Sequence, residues 1–213
     1  MLMLLSIENI EDILRSKFHQ QVVEHEINDA VTFLQRWLYL SNQVTRFHGA
    51  ALSRIQIPDI QYLLAEIAYG ECGSGNKDKI HSKLLINLIN QSPFAYSITQ
   101  RLDKTVVQLF EETISELSQM SQDEAIGFIV GLEAPGYQIL ELLRQAFIAV
   151  GISDTEILNS EYFMIHYTVE QEHQESGHEA MEIIMKSGFE LTKIHNGGEK
   201  AINFLIRMMN DAN

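Results

Sequence analysis

The chain has 213 residues, 46% of them hydrophobic, which is enough for a single domain, 1–213, with a substantial core. A net charge of −14 with a pI near 4.9 argues against nucleic acid or an anionic membrane as partner, since both reward clustered Lys and Arg; a small molecule or another protein remains, and a homodimer is compatible with it. The lone Cys72 has no internal disulfide partner, the opening Met1 to Leu5 is short and lacks the basic flank of a secretory signal, and no apolar run reaches a membrane span, so the expectation is a soluble cytoplasmic protein.

Apolar residues recur at spacings of three and four between only three prolines (Pro58, Pro93, Pro135), which predicts an all-α chain. A first helix starts at the N-cap candidate Ser6 and lines up Ile7, Ile10, Leu14 and Phe18. A second runs from about Ile27 to Ile55 with Val31, Leu34, Leu38, Phe47 and Leu52, and stops before Pro58, which disfavours helix at Ile57. Asp59 caps a third through Tyr62, Leu63 and Ala68.

The third helix runs into Gly70-Glu71-Cys72-Gly73-Ser74-Gly75-Asn76, a break, and helix resumes near Lys79 with His81, Leu84, Leu85 and Leu88. Glu71 and His81 therefore flank a glycine loop. The loop lacks the Lys-Ser/Thr ending of a phosphate-binding P-loop. One long amphipathic helix is predicted from Phe94 to Met120, with Ile98, Leu102, Val106, Leu109, Ile114 and Leu117 inward and Glu111, Glu112 and Glu116 solvated.

The segment Ala125 to Pro135 is nearly all apolar and ends in a single acid, Glu133. A buried carboxylate needs a cation, a proton or hydrogen-bond donors, so Glu133 is a candidate metal ligand, with a helix end open to water as the plainer reading. A further helix spans Tyr137 to Val150, Ser153 or Asp154 caps the next segment, and the final stretch, Phe189 to Met209, is interrupted at Asn196-Gly197-Gly198, which predicts a kink or a turn.

Between these last elements lies Tyr162-Phe163-Met164-Ile165-His166-Tyr167-Thr168-Val169-Glu170-Gln171-Glu172-His173. At about 100° per residue, His166, Glu170 and His173 fall at about 0°, 40° and −20°, one narrow wedge, whereas Glu172, Glu175 and His178 fall at about 240°, 180° and 120°. Two imidazoles and a carboxylate at one place suit iron, manganese or zinc, and the scarcity of soft ligands favours iron or manganese. The competing reading is a polar helix face carrying two incidental histidines.

Taken in order, Glu71 and His81 across a glycine loop, Glu133 in an apolar helix, and His166, Glu170 and His173 on one wedge resemble the haem-oxygenase-like di-iron oxidases and oxygenases. That superfamily includes the CADD-like proteins and, structurally, the TenA and PqqC folds. The likeness covers roughly Ile60 to Met185, with Glu170 where Asp is common in the family. It implies a seven-helix haem-oxygenase-like bundle and a metal set of Glu71, His81, Glu133, His166, Glu170 and His173. It also implies two irons per chain, with manganese an option at one site, about 3.5–4 Å apart, and O2 as cosubstrate with an external reductant. Glu66, and after it His48, are the nearest spare donors, and Glu66 or Glu161 the candidates for orienting the imidazoles.

The implied reaction is oxidative attack on a small amine- or carboxylate-bearing metabolite, in a pocket with Tyr69, Phe128, Tyr137, Phe163 and Tyr167 as lining candidates. Two alternatives stand beside it. One is a CADD-like self-sacrificing p-aminobenzoate synthase, which draws on its own tyrosine and a lysine; no lysine occurs from Thr105 through Met185, which favours an external substrate. The other is a non-enzymatic helical interaction protein with a vestigial metal site. Other chemistries fit less well. A haem oxygenase needs an early axial histidine, such as His19 or His25, and basic residues for the propionates. A TenA-like hydrolase needs a thiol, and only Cys72 is available. Ferritin-like sites place Glu-x-x-His on two helices rather than one.

Overall fold

Helices account for the regular structure in the computed structural model, which describes residues 7–23, 29–100, 104–168 and 188–210; among these residues no strand occurs. Helix α1, Ile7–Phe18, buries Ile10, Leu14 and Phe18 completely, and a π-helical turn, His19–Val23, follows it. Helix α2, Ala30–Leu52, starts where Asp29 accepts a hydrogen bond from the Thr32 backbone N–H (3.0 Å). Its inner face carries Leu34, Leu38, Phe47, His48 and Ala51.

Helix α3, Pro58–Glu71, begins on the proline itself, whose missing N–H costs nothing in a first turn, so Asp59 is a first-turn acid rather than the cap. Helix α4, His81–Ile89, follows the glycine loop. The long helix expected from Phe94 to Met120 is instead two pieces, α5, Ala95–Ile98, and α6, Lys104–Leu117. The break comes where the Thr99 hydroxyl donates back to the Ala95 and Tyr96 carbonyls, a local alternative to the helical ladder.

Helices α7, Gln122–Glu133, and α9, Asp154–Leu158, both start on reciprocal capping boxes, Ser121 with Glu124 and Ser153 with Glu156. Between them lies α8, Gly136–Ala149. Helix α10 is described over 161–168, and α11, Leu191–Met209, closes the chain.

Phe47, Phe110, Phe128 and Phe204, from α2, α6, α7 and α11, form an aromatic cluster with ring centroids 4.6–6.0 Å apart. The predicted interruption at Gly197-Gly198 is absent: α11 runs through both glycines. A Cβ on Gly197 would lie 2.0 Å from the Glu124 carbonyl oxygen, and one on Gly127 would lie 1.9 Å from the Ile194 carbonyl oxygen. These glycines let the α7 and α11 backbones touch, and the same smallness that reads as a helix breaker in sequence is here a packing device.

Candidate metal centre

Helix α3 ends at Glu71 and α4 begins at His81, so the loop between them delivers both side chains to one point. Gly73 and Gly75 have φ of +83° and +85°, and a Cβ on Gly73 would lie 2.4 Å from the Asn76 carbonyl oxygen, so only glycine fits there. Asn76 Oδ1 accepts from the Asp78 N–H (3.0 Å) and Lys83 Nζ donates to the Lys77 carbonyl (2.8 Å), fixing the rest of the turn.

Glu71, His81 and His166 each place one donor atom within 4.8 Å of the others. His81 Nδ1 is 3.2 Å from Glu71 Oε2, an ion-pair contact whose angles fall short of a hydrogen bond. The His81 and His166 rings lie 4.6 Å apart. His166 Nδ1 sits 2.7 Å from the Tyr162 carbonyl oxygen one turn back; donation to that carbonyl fixes the tautomer and leaves Nε2 as the lone-pair donor.

A second pair adjoins these three. His48, on the inner face of α2, is 1% exposed, and neither ring nitrogen has a hydrogen-bond partner. Its Nε2 lies 3.9 Å from Oε1 of Glu133, the last residue of α7. The Glu133 side chain is 35% exposed, so the water-facing helix end weighed from the sequence describes part of its surroundings. Glu170 and His173 lie outside the described residues.

The electrostatics suit a cation. Burial pushes the His166 pKa down, the neighbouring His81 adds to this, and Glu71 only partly opposes it, so the ring is neutral near pH 7. Burial works to raise the Glu71 pKa, yet the adjoining His81 and the charges His166 and His48 can carry bring it below the usual range; the group is a carboxylate. Both acids also terminate helices, α3 and α7, where the backbone dipole presents its negative end and favours a positive ion.

Several expected helpers are elsewhere. Glu66 is exposed and accepts from the Tyr62 hydroxyl (2.5 Å), and Glu161 is exposed and paired with Lys79, so neither orients an imidazole. Of the lining candidates, Tyr69 is 56% exposed above Gly75 and Tyr137 is also exposed. Tyr167 is half-buried, with Glu141 and Arg144 among its charged neighbours. Phe128 and Phe163 are core residues. The tyrosine whose ring adjoins the donors is Tyr162, 4.2 Å from the His166 ring, with its hydroxyl accepting from Trp37 Nε1–H (2.8 Å).

Residues 31–197 match the family model described as iron-containing redox enzyme. The chain belongs to that family. The fold of this iron-containing redox enzyme is similar to the crystal structure of a CADD-like protein of unknown function from Nostoc punctiforme, with a TM-score of 0.71 over 95% of this chain and 90% of that one, at 12% identity. At that identity the likeness is one of fold, the haem-oxygenase-like, CADD-like helical arrangement expected from the sequence. No curated protein matches the chain. The donor set fits iron in this family member: imidazoles, of which His166 is held neutral, an ionised Glu71 carboxylate, and buried ring nitrogens on His48 and His81 that lack a hydrogen-bond partner. Among the described residues no single helix is long and apolar enough to cross a membrane.

Proposed function

We propose that this iron-containing redox enzyme is a non-haem di-iron oxidase or oxygenase that activates O2, with an external reductant, to attack a small amine- or carboxylate-bearing metabolite. The observation that carries the reading is the convergence of Glu71, His81 and His166 from three helices, with His48 and Glu133 alongside. Iron bound there supplies the electrons for reduction of dioxygen. The chain's own part is to hold and balance it. Glu71 and Glu133 offset positive charge, the Tyr162 carbonyl holds the Nδ1 proton of His166, and Phe163 belongs to the dry packing behind the ligand helix. Glu170 and His173 complete the set.

Substrate reaches this centre from the side where Glu133 meets solvent. The substrate is external rather than part of the chain. Of the lysines flanking His81, Lys77 and Lys83 are exposed, Lys83 donates to the Lys77 carbonyl and Lys79 is paired with Glu161, which supports an external substrate. Intact mass unchanged after many cycles of reductant and oxygen supports this; loss of a tyrosine side chain or conversion of a lysine, in step with one product per chain, overturns it.

Anaerobic loading followed by metal analysis should give about two irons per chain, and Glu71→Gln and His166→Ala should each lose most of one or both, because removing a ligand leaves the remaining charges poorly compensated. The loaded wild type should then consume oxygen with a reductant faster than the same amount of free iron. Iron retained in full by both variants, or oxygen uptake no faster than free iron, would sink the reading.

A further inference from the structure

We propose that His48 is itself a metal ligand, binding through Nε2 the same ion as Glu133, so that the centre has a fourth imidazole contributed by α2. The inference rests on the metal-binding reading above and adds a residue outside the six that the family resemblance implies.

Three observations carry it. His48 sits in the C-terminal part of a 23-residue helix, about one turn before its last residue Leu52, 1% exposed, between Phe47 and the buried Ala51 of the same inner face. An imidazole so buried normally donates from one nitrogen and accepts at the other, yet neither His48 nitrogen has a protein hydrogen-bond partner. Leaving such a group unmatched is costly, so the position calls for a partner that the protein atoms do not provide. Finally, Nε2 stands 3.9 Å from Glu133 Oε1. That is too long for a hydrogen bond, but two ligands about 2.1 Å from one ion stand roughly 3–4 Å apart, depending on the angle between them.

The Glu133 carboxylate lies at the negative end of its helix, where the backbone dipole favours a cation between it and the His48 ring. At 3.9 Å the two side chains make no direct hydrogen bond, and Nδ1 is unmatched with or without an ion between them; what an ion changes is Nε2. An ion between the two gives Nε2 the partner that it lacks. It also explains why a histidine stands on an otherwise apolar helix face, where leucine would pack without any unmet polar atom.

The test uses the full chain. Cobalt(II) is titrated anaerobically into wild type, His48→Gln and His48→Ala, with unfolding midpoints measured in the metal-free state to confirm folding. Wild type should bind about two equivalents, and both variants should bind one of them at least tenfold more weakly, with free imidazole restoring affinity to the alanine cavity but not adding to wild type. In the proton NMR spectrum of the cobalt-loaded protein, wild type should show one more hyperfine-shifted exchangeable imidazole N–H resonance than His48→Gln. If wild type binds two equivalents and the variants do so equally well with the same set of shifted resonances, His48 is not a ligand while the metal-centre reading stands. If wild type binds none, both fall.

Discussion

Whether a side chain faces the site or the solvent is decided by a few tens of degrees on a helix, and at the residue scale this separates what could be read from what could not. Glu71 lies seven residues after the buried Leu64, about −20° on the wheel, whereas Glu66 lies about 200° away and points outward. The same arithmetic places His48 three residues before the buried Ala51, so of the two spare donors Glu66 is exposed and His48 lies on the buried stripe. The Trp37–Tyr162 bond had no such signal, because residues 125 apart meet only through packing. Tyr162 offers a test of how His166 is held. Burial raises its hydroxyl pKa, the Trp37 N–H partly opposes this and Glu71 adds to it, so the phenol is neutral at any working pH. Tyr162→Phe removes the acceptor of the indole N–H and should cost about 1–2 kcal/mol in urea unfolding. Metal content should be unchanged, because His166 is oriented by the Tyr162 backbone carbonyl; metal loss in a folded variant would contradict that assignment.

Elements were legible where their ends carry chemistry and misread where a residue serves two purposes. Of the two cap candidates, Ser153 and Asp154, the structure uses Ser153, whose partner Glu156 three residues on completes a capping box, and Ser121 with Glu124 has the same form. Glycine is ambiguous: the pair in α11 looked like a break and is a point of backbone contact, visible only when α7 is brought against it. Gly197→Ala should therefore destabilise. A gain of about 1 kcal/mol in helix propensity is outweighed by about 1–3 kcal/mol or more of overpacking against the Glu124 carbonyl, which cannot retreat without parting the helices. Gly49→Ala, in α2 with open space where the Cβ would go, should instead stabilise by up to about 1 kcal/mol. Urea midpoints moving in the same direction would disprove the distinction. The α7 cap also has a pH signature. Bonds from the Ser121 hydroxyl and backbone lower the Glu124 pKa below its ordinary 4.5, so its contribution is fully present above that value and lost as pH falls through the lower folded value. Glu124→Gln, which keeps the capping geometry, should show a flatter loss of stability between pH 5 and pH 3 than wild type.

For the whole molecule, the all-helical class follows from the spacing of apolar residues, because a period near 3.6 held across most of the chain leaves little alternative. The way the helices come together is less accessible: it depends on contacts such as the Phe47–Phe110–Phe128–Phe204 cluster, whose members are far apart in sequence. The proposed centre draws its donors from five helices, so iron bound there should stabilise the entire fold. At a free metal concentration one hundred times the dissociation constant, each site adds about 2.7 kcal/mol, so the loaded protein should melt well above the metal-free one, and His166→Ala should lose most of that increment. The spread of these donors has a further consequence for how the protein is made. His48, Glu71 and His81 leave the ribosome early, Glu133 later and His166 later still, so no partial chain holds the donor set. On the proposed donor set, iron acquisition would follow completion of the chain, because a copy that ends before His166 lacks one of the three convergent donors.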